Sequence, residues 1–368
     1  MAFENDDFGY LIIRPDNVGI QDLFGFWNGE RRTAAKIVES SEGEVGAGEL
    51  FTGVKLDHRW VILVSIVVRK LLALFAKPME WTGCFFEFIL NLISNNGDLL
   101  GLLYNLTHGK VVMPHRDSET FISAIGYLDG RIDLYKSYSF GERIGLKVEL
   151  GDRALTDLCM MASKLAYENT NVIRNIINHH WKMHFEAFYN GWNDYLKDRS
   201  TQVLILSDKP EDADLILVSF RGTEPFNAND WSTDFDYSWY KIPKLGKVHM
   251  GFLEALGLGN RSDTSTFKNF LQVKDGDDTT LGHSEAPEIM RMTAYYAVKR
   301  KLKIMLSENR NAKFIITGHS LGGALAILFP CVLVLHEEEE LMQRMTAVYT
   351  FGSQGLGMGS LGSSWKPI

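Results

Sequence analysis

KFIITGHSLGGALA, residues 313–326, changes character halfway along its length. Phe314, Ile315, Ile316 and Thr317 form a short uninterrupted run of apolar and β-branched residues, the pattern of a strand covered on both faces. Beyond Gly322 the small side chains of Gly323, Ala324 and Ala326 allow a helix to pack closely against whatever lies beneath it. Between the two stands Gly318-His319-Ser320-Leu321-Gly322, which matches G-x-S-x-G. In a strand-to-helix turn this abrupt, the serine hydroxyl projects above the sheet, and glycine on either side relieves the crowding. A bare G-x-S-x-G also marks ordinary tight turns, but the strand before it and the small-residue helix after it make Ser320 a candidate nucleophile.

A serine nucleophile needs donors for the oxyanion formed on the attacked carbonyl and a base for its own proton. The backbone N–H of Leu321, at the start of a helix whose dipole favours negative charge, is one candidate donor. A second follows the apolar run 215–219, in Phe220-Arg221-Gly222-Thr223, where Thr223 offers both its N–H and its hydroxyl. Standing alone, that tetrapeptide reads as a turn with Thr223 capping a helix. The base is harder to find. No aspartate follows Ser320, and the one histidine after it, His336, lies 16 positions along the outgoing helix, roughly 24 Å at 1.5 Å per residue. His319 points away from the hydroxyl because consecutive side chains diverge at the turn. Glu337 to Glu340 read as a solvated face, and the spacing of Asp234 and Asp236 argues for no catalytic role. A triad Asp and His are therefore not identifiable.

Working outward, residues 151–352 alternate helix-like and strand-like segments, as an α/β sheet does. Helices are expected at 157–167 and 172–192, and strands at 202–206, 215–220, 314–317 and 347–351. Residues 1–150 differ, with the most apolar segment at 59–76. Arg69 and Lys70 divide it into two runs, each shorter than the ~20 residues of a spanning helix. On a helix Arg59, Lys70 and Lys77 fall on one side, an arrangement suited to lying at an interface. Residues 81–93 and 99–106 continue in the same apolar vein. Buried core helices with snorkelling cations fit the pattern equally well. Residues 353–368, rich in Gly and Ser, are expected to be disordered.

Composition narrows the classes. Apolar residues make up 45% of the 368 residues, enough for a sizeable core, and the net charge of −8 gives no electrostatic footprint for nucleic acid. Cys84, Cys159 and Cys331 are odd in number and form neither a CxxC pair nor a metal-like cluster, so reduced thiols and no metal are expected. The acidic start, MAFENDDFGYLIIRPDN, lacks the form of a secretory leader.

In order and spacing, the strand followed by FRGT, then Asp230-Trp231-Ser-Thr-Asp234, Val248-His249-Met-Gly-Phe252, GHSLGGALA and Tyr349-Thr-Phe351-Gly352 resemble the class 3, or fungal-type, lipases. The resemblance implies an α/β-hydrolase fold needing no cofactor. It makes Ser320 the nucleophile, Thr223 an oxyanion donor and residues 224–235 a lid with Trp231 on its inner apolar face. His249 takes the place of a structural histidine. RWVILVSIVVRKLLALFAKPMEWTG at 59–83, SETFISAIGYLDGRIDL at 118–134, LCMMASKLAYEN at 158–169 and HHWKMHFEAFYNGWNDY at 179–195 are similar to plant oil-body triacylglycerol lipases.

That likeness implies hydrolysis of acylglycerols at the cytosolic face of lipid droplets, with residues 1–150 as the interfacial, membrane-associating region, 151–352 as the hydrolase core and 353–368 as an atypical tail. The family carries its catalytic Asp and His after the Phe-Gly strand, where this chain reads SQGLGMG, so the carboxyl end is expected to be truncated or alternatively spliced. Two rival readings stay open: an esterase or phospholipase with another lipid substrate, and a droplet-binding protein without turnover.

Overall fold

A computed structural model describes residues 8–41, 56–130, 140, 153–272 and 293–353. The main sheet has five strands in the order β3-β4-β5-β8-β9, formed by His184–Asn193, Asp198–Ser207, Leu215–Phe220, Lys313–His319 and Met345–Phe351. β3, β4 and β5 are antiparallel, while β5, β8 and β9 are parallel. The tail 353–368, expected to be disordered, falls outside the described residues beyond Ser353.

Alternate residues of these strands feed two apolar layers, which is why the central strands read as unbroken hydrophobic runs. Val203, Ile205, Ile216, Val218, Phe220, Phe314 and Ile316 face one layer. It is closed by α9 (Met250–Leu256), α11 (Ala294–Glu308) and α12 (Leu321–Leu335). Leu204, Leu206, Leu215, Leu217 and Ile315 face the other, under α6 (Arg153–Leu165) and α7 (Thr170–Asn175). This is the three-layer arrangement of an α/β-hydrolase sheet with flanking helices. β9 forms one edge, half-buried along its whole length.

The expected helix over 172–192 is a correction. After α7 the chain makes a single π-turn, Ile176–His180, and then runs as strand β3. Phe185, Phe188 and Trp192 imitate helical spacing, yet the segment pairs with β4, and a register shift between Phe185 and Ala187 scrambles the alternation that marks a strand. Lys182, at a φ of 56°, breaks the backbone between the two elements.

A second sheet, ordered β2-β1-β6-β7, joins the first zone to the core. β1 (Gly9–Ile13) pairs with β2 (Val38–Ser40) and with β6 (Trp239–Ile242), which pairs in turn with β7 (Gly246–His249). Helices α1 (Ile20–Trp27) and α2 (Arg31–Ile37) cover this sheet together with Ile62 and Ile66 of α3. α3, Leu56–Asn95, is an unbroken 40-residue helix with Pro78 inside it, followed by α4, Leu99–Thr107. Among the described residues no helix is long and apolar enough to cross a membrane.

The cations of α3 divide by role. Arg69 is buried against Asp236, and the Arg59 guanidinium lies over Gly29. Lys70 and Lys77 are exposed. On the same side of α3 Leu74 and Trp81 are 71% and 72% exposed, and on α4 Leu100 is 75% exposed.

Candidate active site

Ser320 stands between β8 and α12 with φ 55° and ψ −126°, a conformation that L-residues adopt at a cost of about 1–3 kcal/mol. Its own N–H donates to the Phe351 carbonyl at the end of β9 (3.0 Å), and its carbonyl accepts from Gly323 N (2.9 Å) as α12 begins. The turn is thus pinned by the strand on one side and the helix on the other. Leu321 is the first helical residue, so its N–H is one of the donors that a helix start leaves without an intrahelical partner.

Register brings the second donor segment alongside. Phe220, the last residue of β5, pairs with Gly318 near the end of β8. The Arg221-Gly222-Thr223 loop therefore crosses directly beside the turn. A Cβ at Gly222 would fall 2.2 Å from the His319 carbonyl oxygen, and one at Gly322 would fall 2.2 Å from the Phe220 carbonyl oxygen. Both positions require glycine because two backbones touch there.

The imidazole of His319 turns toward α6. Lys164 Nζ donates to Nε2 at 2.8 Å, and Nδ1 lies 3.2 Å from the Tyr167 hydroxyl. His336 is fully buried, with Nδ1 at 2.7 Å from the Tyr295 hydroxyl and Nε2 at 2.8 Å from the Phe270 carbonyl. His249 places Nε2 on the Asp236 carbonyl. Burial lowers the pKa of His249, against the pull of Asp236, and favours the neutral ring. Each of these three rings has partners away from the Ser320 hydroxyl.

Glu338 corrects the reading of residues 337–340 as a solvated face. Its side chain is buried, and Lys299 and Lys303 of α11 reach it at 2.9 and 2.8 Å. A run of four glutamates hides which one turns inward, because the partners come from another helix.

The loop expected to be a lid contains α8, Ala228–Asp234, capped by the Asn227 side chain. Arg221 holds its base: the buried guanidinium donates to Asp230 at 2.9 Å and to Glu224, and reaches the Ser200 carbonyl. Burial pushes the Asp230 carboxyl up to about 6, opposed by Arg221 beside it. Trp231 is half-buried, its Nε1 donating to the Pro225 carbonyl at 3.0 Å and its ring stacked on Phe235. The Thr223 hydroxyl donates to Asp234 Oδ2 at 2.7 Å. That contact fixes the hydroxyl's rotamer from α8, a role for Asp234 that sequence reasoning missed although the residue lies in the same motif as Trp231.

Residues 217–363 match the family model for Lipase (class 3). Over 96% of its length the chain is 54% identical to triacylglycerol lipase OBL1 of Nicotiana tabacum, covering 72% of that protein. The chain belongs to the class 3 lipase family. It is also 51% identical over 97% of its length to triacylglycerol lipase OBL1 of Arabidopsis thaliana, covering 71% of that protein. A crystal structure of a lipase from Rhizopus microsporus var. chinensis aligns with 55% of the chain and 59% of its own, at 21% identity and a TM-score of 0.34.

In this class 3 lipase a cavity of about 470 Å³ lies between α3 and the segment 224–229, bordered by Glu80, Glu87, Arg116, Tyr167, Glu224 and Phe226. Burial raises the Glu87 carboxyl there, with the Ala124 N–H and Arg116 opposing. Through Tyr167 the cavity reaches the side of the Ser320 turn. Among the described residues no group of three or more His, Cys, Asp or Glu side chains is placed to hold a metal ion. The chain is a lipase-type hydrolase.

Proposed function

We propose that this lipase cleaves the acyl esters of triacylglycerol at the cytosolic surface of lipid droplets, with Ser320 as nucleophile. The observation that carries the reading is the backbone of Ser320: a strained serine at the tip of a parallel strand, beside the first N–H groups of a helix. The Ser320 hydroxyl attacks the ester carbonyl carbon, and the resulting oxyanion accepts hydrogen bonds from the N–H groups of Leu321 and Thr223 and, once the segment 224–235 moves away and the contact with Asp234 is broken, from the Thr223 hydroxyl. Collapse expels diacylglycerol with a proton, leaving acyl-Ser320. Water then attacks the acyl carbon and releases the fatty acid. Gly318, His319 and Gly322 shape the turn, and residues 224–235 with Trp231 form the lid over it.

Support for the substrate comes from the relatives, which carry triacylglycerol lipase in their names over nearly the whole chain. Support for the surface comes from the apolar face of α3 and α4, rimmed by exposed Lys70 and Lys77. Residues 1–150 are then the interfacial part, 151–352 the hydrolase core and 353–368 a tail. A second reading, droplet binding without turnover, is favoured by the histidines. His249, His319 and His336 hold partners elsewhere.

The test uses a serine-directed phosphonate on the chain extended with the carboxyl segment of a class 3 relative, alongside hydrolysis of tri-, di- and monoacylglycerol and phospholipid emulsions. Labelling and triacylglycerol turnover that both vanish in Ser320→Ala are expected. Labelling retained by the alanine variant removes Ser320 as nucleophile, and preference for phospholipid overturns the substrate.

A further inference from the structure

Lys164 is a buried cation beside the nucleophile turn, and its contacts fix the direction of the hydrogen bonds that follow from it. The amine lies 3.2 Å from Asp129 Oδ2, at the end of α5 (Ala124–Leu128), and 2.8 Å from His319 Nε2. A carboxylate at that distance favours the charged amine, and an ammonium has three donors and no acceptor. His319 Nε2 must therefore accept. An imidazolium has no lone pair with which to do so, which leaves the ring neutral with its single proton on Nδ1.

Nδ1 in turn lies 3.2 Å from the Tyr167 hydroxyl. With the ring proton on Nδ1, the imidazole donates and the phenolic oxygen accepts, so the proton of Tyr167 is directed away from His319. Lys164 and Tyr167 stand one turn apart at the end of α6, where the Tyr167 N–H donates to the Lys164 carbonyl at 3.3 Å. One turn of chain thus supplies both ends of the relay.

The far side of the phenol faces the Ser320 site. A Cβ built on Gly222 would fall 2.2 Å from the Tyr167 hydroxyl oxygen, which places that oxygen against the loop whose next residue is Thr223. Tyr167 also borders the cavity of about 470 Å³ between α3 and the segment 224–229. A triacylglycerol carries hydrogen-bond acceptors and no donors, so a site that recognises its esters by hydrogen bonds has to present protons. A Tyr167 hydroxyl that donated to His319 would present a lone pair there instead.

We propose that Tyr167 is a further substrate-binding residue of the Ser320 site, its hydroxyl donating to a carbonyl oxygen of the bound glyceride ester. Lys164, acting through His319, is the positioning residue that keeps the hydroxyl turned that way. The ligand named here rests on the glyceride reading of the Ser320 site; the direction of the relay does not.

The experiment uses the 368-residue chain carrying Ser320→Ala, so that no ester is consumed. Its ligands are a short-chain diacylglycerol and the dialkylglycerol ether that lacks the carbonyl oxygens, each dispersed in nonionic detergent micelles. Tyr167→Phe is expected to weaken binding of the ester about three- to tenfold and to leave the ether unchanged. Lys164→Met should have the same selective effect without touching the ligand, because Nδ1 can then accept the Tyr167 proton. Nitrogen NMR of histidine-labelled protein at neutral pH, with His319 assigned by comparison with His319→Gln, should show the proton on Nδ1 in the parent chain. It should move to Nε2 in Lys164→Met.

A proton on Nε2 in the parent chain overturns the relay, and that spectrum carries the test if Lys164→Met does not fold. Equal losses for ester and ether in Tyr167→Phe overturn the hydrogen bond to the carbonyl and leave the phenol as packing. An undiminished ester preference in Lys164→Met removes Lys164 as a positioning residue. Failure of the parent chain to bind the diacylglycerol overturns this proposal together with the glyceride reading, whereas ester binding that Tyr167→Phe leaves unaltered counts against Tyr167 alone.

Discussion

Asp236 shows how a single side chain ties distant parts of this chain together. Burial opposes its ionisation, but Arg261 and Arg69 beside it hold the carboxyl well below the usual carboxylate range. With a folded value below the unfolded one, its stabilisation is present above about pH 3.9 and is lost as the pH falls further. Asp236→Asn should cost about 3–5 kcal/mol, because it leaves two buried guanidiniums short of a partner. Urea unfolding at a series of pH values should show that loss together with a flatter acid limb. An unchanged acid limb would assign the pH dependence to other carboxylates. With Thr223 proposed as an oxyanion donor, Thr223→Val should lower kcat about 10²–10³-fold in the extended chain with little change in KM, and Thr223→Ser should restore most of it. Equal kcat in the two variants would remove the hydroxyl from the mechanism. The turn at Ser320 and the loop that carries Thr223 beside it were legible in the sequence because each sits in a short motif whose neighbours demand it. Arg69 was not, since its partner lies 167 positions away and nothing local tells an inward arginine from a snorkelling one.

The elements were legible where their period was clean. β5 and β8 announced themselves as apolar runs, and their pairing places Gly318 beside Phe220. β3 was misread as helix because a bulge and aromatic side chains at positions 185, 188 and 192 obscure its alternation. β1 and β2 went unnoticed, being five and three residues long, paired with each other across at least 25 positions, with β1 joined to β6 across at least 228. For α3 the structure also changes the experiment that its apolar face invites. Deleting residues 59–106 would remove Ile62, Ile66 and Arg69 from the core, so misfolding would pass for loss of binding. Leu74→Ser, Trp81→Ser and Leu100→Ser together touch only exposed side chains. Each should remove up to about 1.5–3 kcal/mol of burial in lipid, and droplet flotation of the triple variant should drop at least about tenfold. A reporter carrying residues 59–106 should move to droplets. Should the triple variant float normally and the reporter stay diffuse, α3 and α4 would be an ordinary surface of the fold.

For the molecule as a whole, the α/β-hydrolase sheet and the turn at Ser320 followed from residues 313–326, while the fusion of the first zone onto the core through β1 and β6 did not. Local patterning carries no information about which distant edge a short strand will join. The same whole-molecule view sets an expectation for turnover. A polypeptide of these 368 residues, assayed alone on triolein emulsions, should retain only the oxyanion and binding contributions, about 10³–10⁴ over water, below the floor of an ordinary lipase assay. Extension with the carboxyl segment of a class 3 relative should raise the rate by several orders of magnitude at matched folded concentration. Comparable rates for both, abolished by Ser320→Ala, would point to a base among the upstream residues.

The Arg69–Asp236 bond also sets a clock for biosynthesis. Translation at about 5–20 residues per second needs roughly 10–30 s to cover the 167 positions between the two partners. During that interval α3 has left the ribosome with a bare guanidinium on one side and its apolar face on the other. Newly made chains should therefore meet droplets or chaperones before their own lid exists. Chains stalled near residue 220 should float with added droplets more readily than chains stalled beyond Arg261, by which point both guanidiniums can close on Asp236.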